Sequence, residues 1–322
     1  MIFDKFTSSY LDGKCFVAIT YPYSKHDALL VEDLRLEELV QYIQDRRINK
    51  AYVQHFSEFS FLLQCQSLEH IAIELRMPFN DYSKLNRKTR IQYDLSPIEQ
   101  ISSLLSLDLR ENERYGSRAQ AKIDICRLPL LQQYSGDFGF TNNLFQGINL
   151  RSLRLVHLDH TDFSELSHLI NLDTLHLSFS KIESLKGCNS LSKLQCLYLH
   201  NNRTLKDISD LQHVSQSLKA LRIENCPNIH DYSVLQTLNN LELLELSGKG
   251  SIPDLSFIRN MPNLKTLLFS INVLDGDLSL CDKLSWVYSE QNRKHYNRKD
   301  RELPKDKFYH GNEDIDEWRR FE

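Results

Sequence analysis

Glycine and proline are scarce in this chain, and several motifs that carry chemistry are missing. The 322 residues include 10 glycines and 8 prolines, and they form no glycine-rich phosphate loop and no Gly-x-Ser-x-Gly turn. The 7 cysteines contain no Cys-x-x-Cys pair, and an odd number cannot all pair as disulfides. These absences argue against a nucleotide-binding enzyme, an elbow-type serine hydrolase, a zinc module and a disulfide-stapled secreted domain.

Charge and hydropathy also lack a strong bias. Lys and Arg number 39 and Asp and Glu number 43, a net charge of −4, so no global field favours nucleic acid or an anionic membrane. No apolar run approaches the roughly 18 residues of a membrane-spanning helix, and residues 1–6 lead into no apolar signal-peptide core. We expect a reduced, cytoplasmic monomer that uses no metal or other cofactor and binds neither nucleic acid nor membrane.

Leucine, in contrast, recurs in a fixed phrase, Leu-x-x-Leu-x-Leu. Six consecutive copies are Leu150-Leu153-Leu155, Leu172-Leu175-Leu177, Leu194-Leu197-Leu199, Leu218-Leu221-Ile223, Leu241-Leu244-Leu246 and Leu264-Leu267-Phe269. Successive first leucines are 22, 22, 24, 23 and 23 residues apart. A period of about 20–29 residues with this core is the signature of leucine-rich repeats.

The spacing within each copy predicts a short strand. The last two apolar positions are two residues apart, so both side chains point to one side of a strand, and the residues between them point to solvent. One strand cannot bury its apolar row alone, but the next copy can cover it as a parallel neighbour. The repeat therefore predicts an α/β fold, a right-handed solenoid or horseshoe with a parallel concave sheet and short helices or 3₁₀ turns on its convex side.

A second phrase marks the return path between strands. It reads Asp162-Phe163-Ser164-Glu165-Leu166, Asp207-Ile208-Ser209-Asp210-Leu211, Asp231-Tyr232-Ser233-Val234-Leu235 and Asp254-Leu255-Ser256-Phe257-Ile258. An Asp or Ser at this place can accept hydrogen bonds from the free amides that open a short helix. With the leucine strand, this phrase resembles the repeats of the bacterial internalin-type family. The resemblance implies a protein-binding solenoid of the kind that many secreted or surface-bound relatives use.

The resemblance extends toward the N-terminus and sets the expected domains. Asp94-Leu95-Ser96-Pro97-Ile98 matches the return phrase, and Ile48-Ala51-Val53 is the first strand copy. We predict an N-terminal cap at 1–47, with a strand at 16–20 and an amphipathic helix at 34–45. Repeats follow at 48–289, with irregular copies around 76–103 and 126–149, where residues 134–140 read as a loop. A C-terminal cap and charged tail occupy 290–322.

The family often places Asn or Cys three residues after the last strand leucine, where the side chain bonds stacked backbone. Asn112, Asn202, Cys226 and Asn272 follow this pattern, whereas Leu158, Ser180 and Lys249 do not. Cys188, Cys196, Cys226 and Cys281 lie inside repeats, and we expect them to be buried as small apolar groups.

Exposed strand positions should stack into columns that present a binding face. The predicted partner-binding residues are Arg154, His157, His176, Phe179, Tyr198, His200, Arg222, Glu224, Glu245, Trp286 and Tyr288. Tyr, Trp and Arg are enriched at the centres of interfaces. The competing interpretation is that these rings and arginines simply stabilise the sheet. The run His157–Asp162 holds two imidazoles and two carboxylates, but a solvated turn is the simpler interpretation than a metal site.

The leading hypothesis is a non-catalytic module that binds one protein partner on its concave face, for example a toxin-neutralising immunity protein. A second hypothesis is an effector secreted into host cells. A third is an enzyme or enzyme subunit, and the fourth is nucleic-acid binding through the basic segment 293–299. The sequence does not decide which partner is bound.

Overall fold

The computed structural model describes residues 8–21, 24–32, 35–75, 90–111 and 118–306. The chain divides into two compact units, residues 1–155 and 156–322. Within the described residues, none of the helices combines the length and apolar character needed to cross a bilayer.

The described residues of the first unit form a mixed sheet and one α-helix. Its elements are β1 (Ser8–Leu11), β2 (Lys14–Tyr21), β3 (Ser24–Val31), α1 (Leu36–Arg46), β4 (Lys50–Gln54), β5 (His70–Leu75), β6 (Arg90–Gln92), β7 (Ser106–Glu111), β8 (Arg118–Gln120), β9 (Ile123–Asp124), β10 (Gln133–Asp137), β11 (Thr141–Asn142) and β12 (Ser152–Val156). The main sheet runs in the order β1-β2-β3-β4-β5-β7-β10-β12. The first three strands are antiparallel, and the pairs from β3 to β10 are parallel.

Short 3₁₀ helices and two-stranded ribbons complete this unit. The 3₁₀ helices are Ser60–Gln64, Ile98–Gln100, Ile125–Arg127, Phe138–Phe140 and Leu144–Gln146. Strand β6 pairs with β8, and β9 pairs with β11. The irregular stretch predicted around 76–103 therefore contributes a small ribbon at 90–92, and its residues 76–89 lie outside the described residues.

Helix α1 forms because its apolar residues repeat at helical spacing. Leu39, Val40 and Ile43 are buried on one face, and Glu37 and Glu38 in the first turn complement the positive end of the helix dipole. The predicted helix 34–45 coincides with α1, and the predicted strand 16–20 lies inside β2. Strands β1 and β3 were not predicted.

The predicted loop at 134–140 is wrong, because β10 occupies Gln133–Asp137. The register pairs Tyr134 with Leu107, so Tyr134 and Gly136 stand where other copies carry leucines. Tyr134 is fully buried, and a Cβ at Gly136 would lie 2.7 Å from the Tyr134 hydroxyl. The large ring thus fills the space that two leucine side chains would share. Because Tyr134 and Gly136 replace the two strand leucines, a search for leucines does not detect this copy of the repeat.

The second unit has a more regular parallel sheet. Its strands are β13 (Thr174–Ser178), β14 (Cys196–His200), β15 (Ala220–Glu224), β16 (Leu243–Ser247), β17 (Ser251–Ile252), β18 (Thr266–Phe269), β19 (Asn272–Val273) and β20 (Trp286–Ser289). The main sheet runs in the order β13-β14-β15-β16-β18-β20, and β17 pairs with β19. Its 3₁₀ helices are Glu165–His168, Cys188–Ser190, Ser209–Val214, Ser233–Thr237, Ser256–Asn260, Ser279–Lys283 and Asp300–Glu302.

Strand register stacks the leucines of the repeat directly on one another. One row contains Leu175, Leu197, Leu221, Leu244, Leu267 and Val287, and a second contains Leu177, Leu199, Ile223, Leu246 and Phe269. Every one of these side chains is at most 2% exposed. Fully burying one such side chain contributes about 1.5–3 kcal/mol. These rows are therefore the main source of stability in the unit, and the predicted solenoid is confirmed.

The aspartates of the return phrase open the 3₁₀ helices as predicted. Each carboxylate accepts a hydrogen bond from the backbone amide two residues later, at 2.9 Å for Asp162 and Ser164, 2.9 Å for Asp207 and Ser209, 2.8 Å for Asp231 and Ser233, and 2.6 Å for Asp254 and Ser256. These bonds to the charged form lower the pKa of each carboxyl.

Asn202 links neighbouring coils from a fully buried position. Its Nδ2 donates to the Leu177 carbonyl at 3.0 Å, and its Oδ1 accepts from the Ser180 amide at 2.8 Å. Ser180 also serves the ladder, since its hydroxyl accepts from the Leu158 amide at 3.2 Å. The sequence pattern had excluded Ser180 from this column. The cysteines predicted to be buried, at positions 188, 196, 226 and 281, are all buried.

The segment after β20 covers the last strand of the sheet. The Val287 amide donates to the Pro304 carbonyl and the Asp306 amide donates to the Ser285 carbonyl, each at 3.0 Å. Tyr296 of this segment is buried, and its hydroxyl accepts a hydrogen bond from the Val273 amide at 3.0 Å. The segment thereby pairs an edge that would otherwise present open backbone groups. The predicted tail at 307–322 lies outside the described residues.

Asn202→Ala is expected to destabilise the chain by about 2–4 kcal/mol, because the buried Ser180 amide and Leu177 carbonyl lose their partner. Asn260→Ala is the matched control, since that exposed amide lies 3.5 Å from the Gln236 carbonyl and should cost under about 0.5 kcal/mol. Urea unfolding followed by circular dichroism measures both. Equal stability of the two variants would contradict a structural role for Asn202.

Asp207→Asn is expected to lower the melting temperature near neutral pH, because the amide is a weaker acceptor than the carboxylate. The pKa of Asp207 is lowered in the folded chain, so its contribution is present above the unfolded pKa of about 4 and disappears as pH falls through the folded value. The difference from wild type should therefore shrink below pH of about 4. Calorimetry at several pH values measures it, and a difference that does not depend on pH would refute this role of the charge.

Candidate functional site

The predicted partner-binding residues divide between the two units. Arg154 lies on β12 in the first unit and is exposed. The other ten residues belong to the second unit. Among them His157, Phe179 and Tyr288 are exposed, and His176 and Glu245 are buried. The remaining five are partly buried, and these are Tyr198, His200, Arg222, Glu224 and Trp286.

Strand register brings the central residues together on the side of the sheet that faces away from the leucine core. His176 pairs with Tyr198, Tyr198 with Arg222 and Arg222 with Glu245 across adjacent strands. Two residues further along these strands, and on the same face, Ser178 pairs with His200. We call this side of the second unit the sheet face. The predicted columns in this part of the chain are the observed ones.

A row of five rings crosses the sheet face. The ring centroids are 4.1 Å apart for His176 and Tyr198 and 5.9 Å apart for Tyr198 and His200. Phe179 meets His200 edge to face at 5.4 Å and lies 6.0 Å from His157. Aromatic pairs at these separations attract through their quadrupoles. The row is therefore a connected, ordered surface.

Arg222 and Glu245 form an internal ion pair beside this row. Arg222 Nε lies 2.5 Å from Glu245 Oε2, and the two side chains are 16% and 9% exposed. The guanidinium also lies 4.7 Å from the centroid of the Tyr198 ring. A pair this well covered is costly to break. Arg222 and Glu245 thus hold the Tyr198 ring in place, as the competing structural interpretation proposed.

Glu224 has different surroundings. It accepts a hydrogen bond from the Tyr198 hydroxyl, and its Oε1 lies 3.6 Å from His200 Nε2. Burial is the main cause of a raised pKa at Tyr198, so its hydroxyl remains a donor at neutral pH. The Asn201 Nδ2 lies 2.7 Å from the same His200 nitrogen.

Backbone conformation separates Phe179 and His157 from the equivalent residues of later coils. The residue that follows each strand from β12 to β16 has positive φ, with values of 60° at His157, 54° at Phe179, 55° at Asn201, 54° at Asn225 and 117° at Gly248. Asn and Gly adopt this left-handed conformation readily, whereas His and especially Phe are uncommon there. The sequence analysis missed this feature, although Asn, Asn and Gly at successive equivalent positions are a signal for it.

Stacking of the coils imposes this conformation. The amides of His157 and Phe179 donate to the carbonyls of Ser178 and His200, each at 3.0 Å. The amide of Asn201 donates in the same way to the Glu224 carbonyl at 2.9 Å. The backbone ladder thus continues one residue past each strand from β12 to β15, whatever the side chain.

Trp286 and Tyr288 contact the C-terminal segment of the same chain. Lys305 Nζ lies 5.2 Å from the Trp286 ring centroid and 5.5 Å from that of Tyr288. Asp300 pairs with the same ammonium at 2.9 Å. These two rings are therefore cation–π partners of Lys305, and Tyr288 remains 45% exposed.

The run His157–Asp162 is a turn. Asp159 pairs with Lys181 at 2.8 Å, and this hydrogen bond lowers the pKa of Asp159. Asp162 accepts a hydrogen bond from the amide of Ser164, the residue just before the following 3₁₀ helix. Within the described part of the chain, no three His, Cys, Asp or Glu side chains are grouped so that they could hold a metal ion.

Comparison with known proteins supports the fold. Residues 170–213 match the family model described as leucine-rich repeats in two copies. No curated protein sequence matches. An internalin (InlF) from Listeria monocytogenes is similar in structure, with a TM-score of 0.50 and 17% identity over 76% of this chain and 66% of that one. The present chain therefore spans slightly under two thirds of the length of that structure.

Two further solved structures are less similar. An internalin C2 from Listeria monocytogenes has a TM-score of 0.42 and 23% identity over 56% of this chain and 76% of its own. The leucine-rich repeat domain of the type III effector XopL has a TM-score of 0.47 and 18% identity over 74% and 82% of the two chains. At 17% identity, the likeness to InlF bears on the fold alone. The chain is thus a leucine-rich repeat solenoid whose fold resembles that of the internalins.

Proposed function

We propose that this chain is a non-catalytic protein-binding module that recognises a protein partner on its sheet face, which is the concave side of a solenoid of this type. Extended surfaces of this kind are what repeat solenoids offer to partners. The observation that carries the proposal is the exposed phenylalanine in a left-handed backbone conformation, Phe179.

Phe179 costs the folded chain stability and gains little burial in return. A left-handed conformation costs an ordinary residue about 1–2 kcal/mol, and the Phe179 side chain remains 51% exposed. The equivalent positions of the next three coils hold Asn201, Asn225 and Gly248, which suit that conformation. Backbone strain at a residue that stays half exposed is characteristic of functional sites. A large exposed ring is also what a binding hot spot requires.

The remainder of the row supplies a rigid base for this ring. His176 and Tyr198 are held by the Arg222–Glu245 pair, and the Ser178 hydroxyl lies 3.1 Å from His176 Nε2. Side chains that are ordered before binding lose little entropy when a partner docks. The structural and the binding interpretations of the row therefore apply to different residues. Arg222, Glu245 and His176 support the face, and Phe179 and His157 contact the partner.

Phe179→Asn is expected to abolish partner capture while leaving stability unchanged or raised by up to about 1 kcal/mol, because Asn tolerates positive φ. Affinity capture from a lysate of the source cell, with thermal unfolding of each variant, measures both effects. A variant that loses binding because its fold is damaged also loses stability. Phe179→Asn should lose binding without losing stability, so it distinguishes a lost partner contact from a damaged fold.

Ile170→Asn is the matched control, because it removes another exposed apolar side chain, 56% accessible, from a turn outside the sheet. It should retain the partner. If Phe179→Asn captures the same partner as wild type, the sheet face is not the binding surface. If the free energy of unfolding of Phe179→Asn is more than about 1.5 kcal/mol below that of wild type, the ring has a structural role and the strain argument fails.

The finer proposal is that binding is the whole activity, as in an immunity protein that neutralises a toxin in the cytoplasm. Such a role requires an occluding surface and no chemistry. Co-expression with a toxin encoded beside this gene is expected to restore growth with wild type and not with Phe179→Asn. Restored growth with both variants would exclude the sheet face as the neutralising surface. Export through a specialised secretion system would instead support the effector alternative.

A further inference from the structure

On strands β13 to β16, the sheet face contains a complete set of ring, carboxylate and cation, and beside it a second set without a lysine or arginine. In the complete set, the Arg222 guanidinium stacks on Tyr198 at 4.7 Å and pairs with Glu245 at 2.5 Å. Two attractions act on the same guanidinium, one from the face of the ring and one from the carboxylate. This arrangement shows what the face stabilises.

The second set consists of Phe179, His200 and Glu224. The Phe179 and His200 rings meet at 5.4 Å, and His200 Nε2 lies 3.6 Å from the Glu224 carboxylate. Among the described residues, no lysine or arginine is ion-paired with Glu224, whose side chain is 29% exposed. Its hydrogen-bond donor is the neutral Tyr198 hydroxyl. The set therefore combines an exposed ring with a carboxylate that has no lysine or arginine partner among the described residues.

The charges of the surrounding residues leave the negative charge in excess. Arg222 is paired with Glu245, whereas no lysine or arginine of the described residues is paired with Glu224. The Glu224 carboxylate also lies next to rings whose faces are electron-rich. Both features attract a cation, and both repel a partner carboxylate.

We infer that Phe179, His200 and Glu224 form a receptor for one cationic side chain, an arginine or lysine, of the protein partner. The inference rests on the proposed binding function and specifies its chemistry. The partner cation stacks on Phe179 and forms an ion pair with Glu224, which repeats the Arg222 arrangement with a group supplied from outside. Arginine fits better than lysine, because a planar guanidinium can stack on the ring and pair with the carboxylate simultaneously.

The test uses short probes and does not require the partner. The full chain, labelled with ¹³C in its Phe and His rings, is titrated with the peptide acetyl-Gly-Arg-Gly-amide and with the same peptide containing citrulline. Citrulline has nearly the shape of arginine but no charge. At low ionic strength, where screening is weakest, the arginine peptide should produce saturable shifts at Phe179 and His200 with about tenfold higher affinity than the citrulline peptide.

Two variants locate the effect. Glu224→Gln keeps an acceptor for the Tyr198 hydroxyl and removes the charge, and it should weaken the arginine peptide about tenfold. Glu165→Gln removes an exposed acid from a 3₁₀ helix outside the sheet and should change nothing. Equal binding of the two peptides, undiminished binding to Glu224→Gln, or no saturable shift would each overturn the inference.

These outcomes are distinct from failure of the proposed function. Loss of partner by Phe179→Asn together with equal binding of the two peptides would leave the sheet face as the binding surface and remove only the cation receptor. If Phe179→Asn retained the partner, both the binding role of the sheet face and the cation receptor would be refuted.

Discussion

Stacking of leucine rows between adjacent coils is the constraint on which the rest of this structure depends. One strand of five residues cannot bury its apolar side chains, so each coil is stable only when a neighbour covers it. Burial is most complete when equivalent residues stand side by side, and this fixes the parallel register. Leu175, Leu197 and Leu221 stand in one such row. Once the register is fixed, every other residue of a coil has a predetermined neighbour in the next.

The sheet face is a direct consequence of this register. Side chains alternate across a strand, so the same pairing that aligns leucines inside aligns Tyr198, Arg222 and Glu245 outside. The ladder also continues one residue beyond each of the strands β12 to β15, where that residue has positive φ. Asn and Gly meet this demand at low cost, and Phe179 does not. Packing of the core thus determines which positions have positive φ. The residue type at each of these positions then determines whether the backbone is strained there.

Much of the fold could be predicted because the repeat period is a property of the sequence. The copies with intact leucines were placed correctly, and so were the aspartates that open the return turns. The copy around Tyr134 was misplaced, because a large ring beside Gly136 fills the core without the expected leucines. Ser180 was likewise excluded from the ladder on its residue type, although its hydroxyl accepts the same kind of backbone bond as Asn202. Both errors arise where a different residue satisfies the same physical requirement.

The sequence by itself determined the architecture and the columns of the candidate site, since period and alternation require no knowledge of contacts. Only the tertiary structure decided what each column member does. Arg222 and Glu245 lie on adjacent strands, and their 2.5 Å ion pair stabilises the sheet. Lys305 reaches Trp286 and Tyr288 from a segment about 17–19 residues along the chain, which no local pattern encodes. Side-chain pairing depends on distance and rotamer, and these exist only after the coils have stacked.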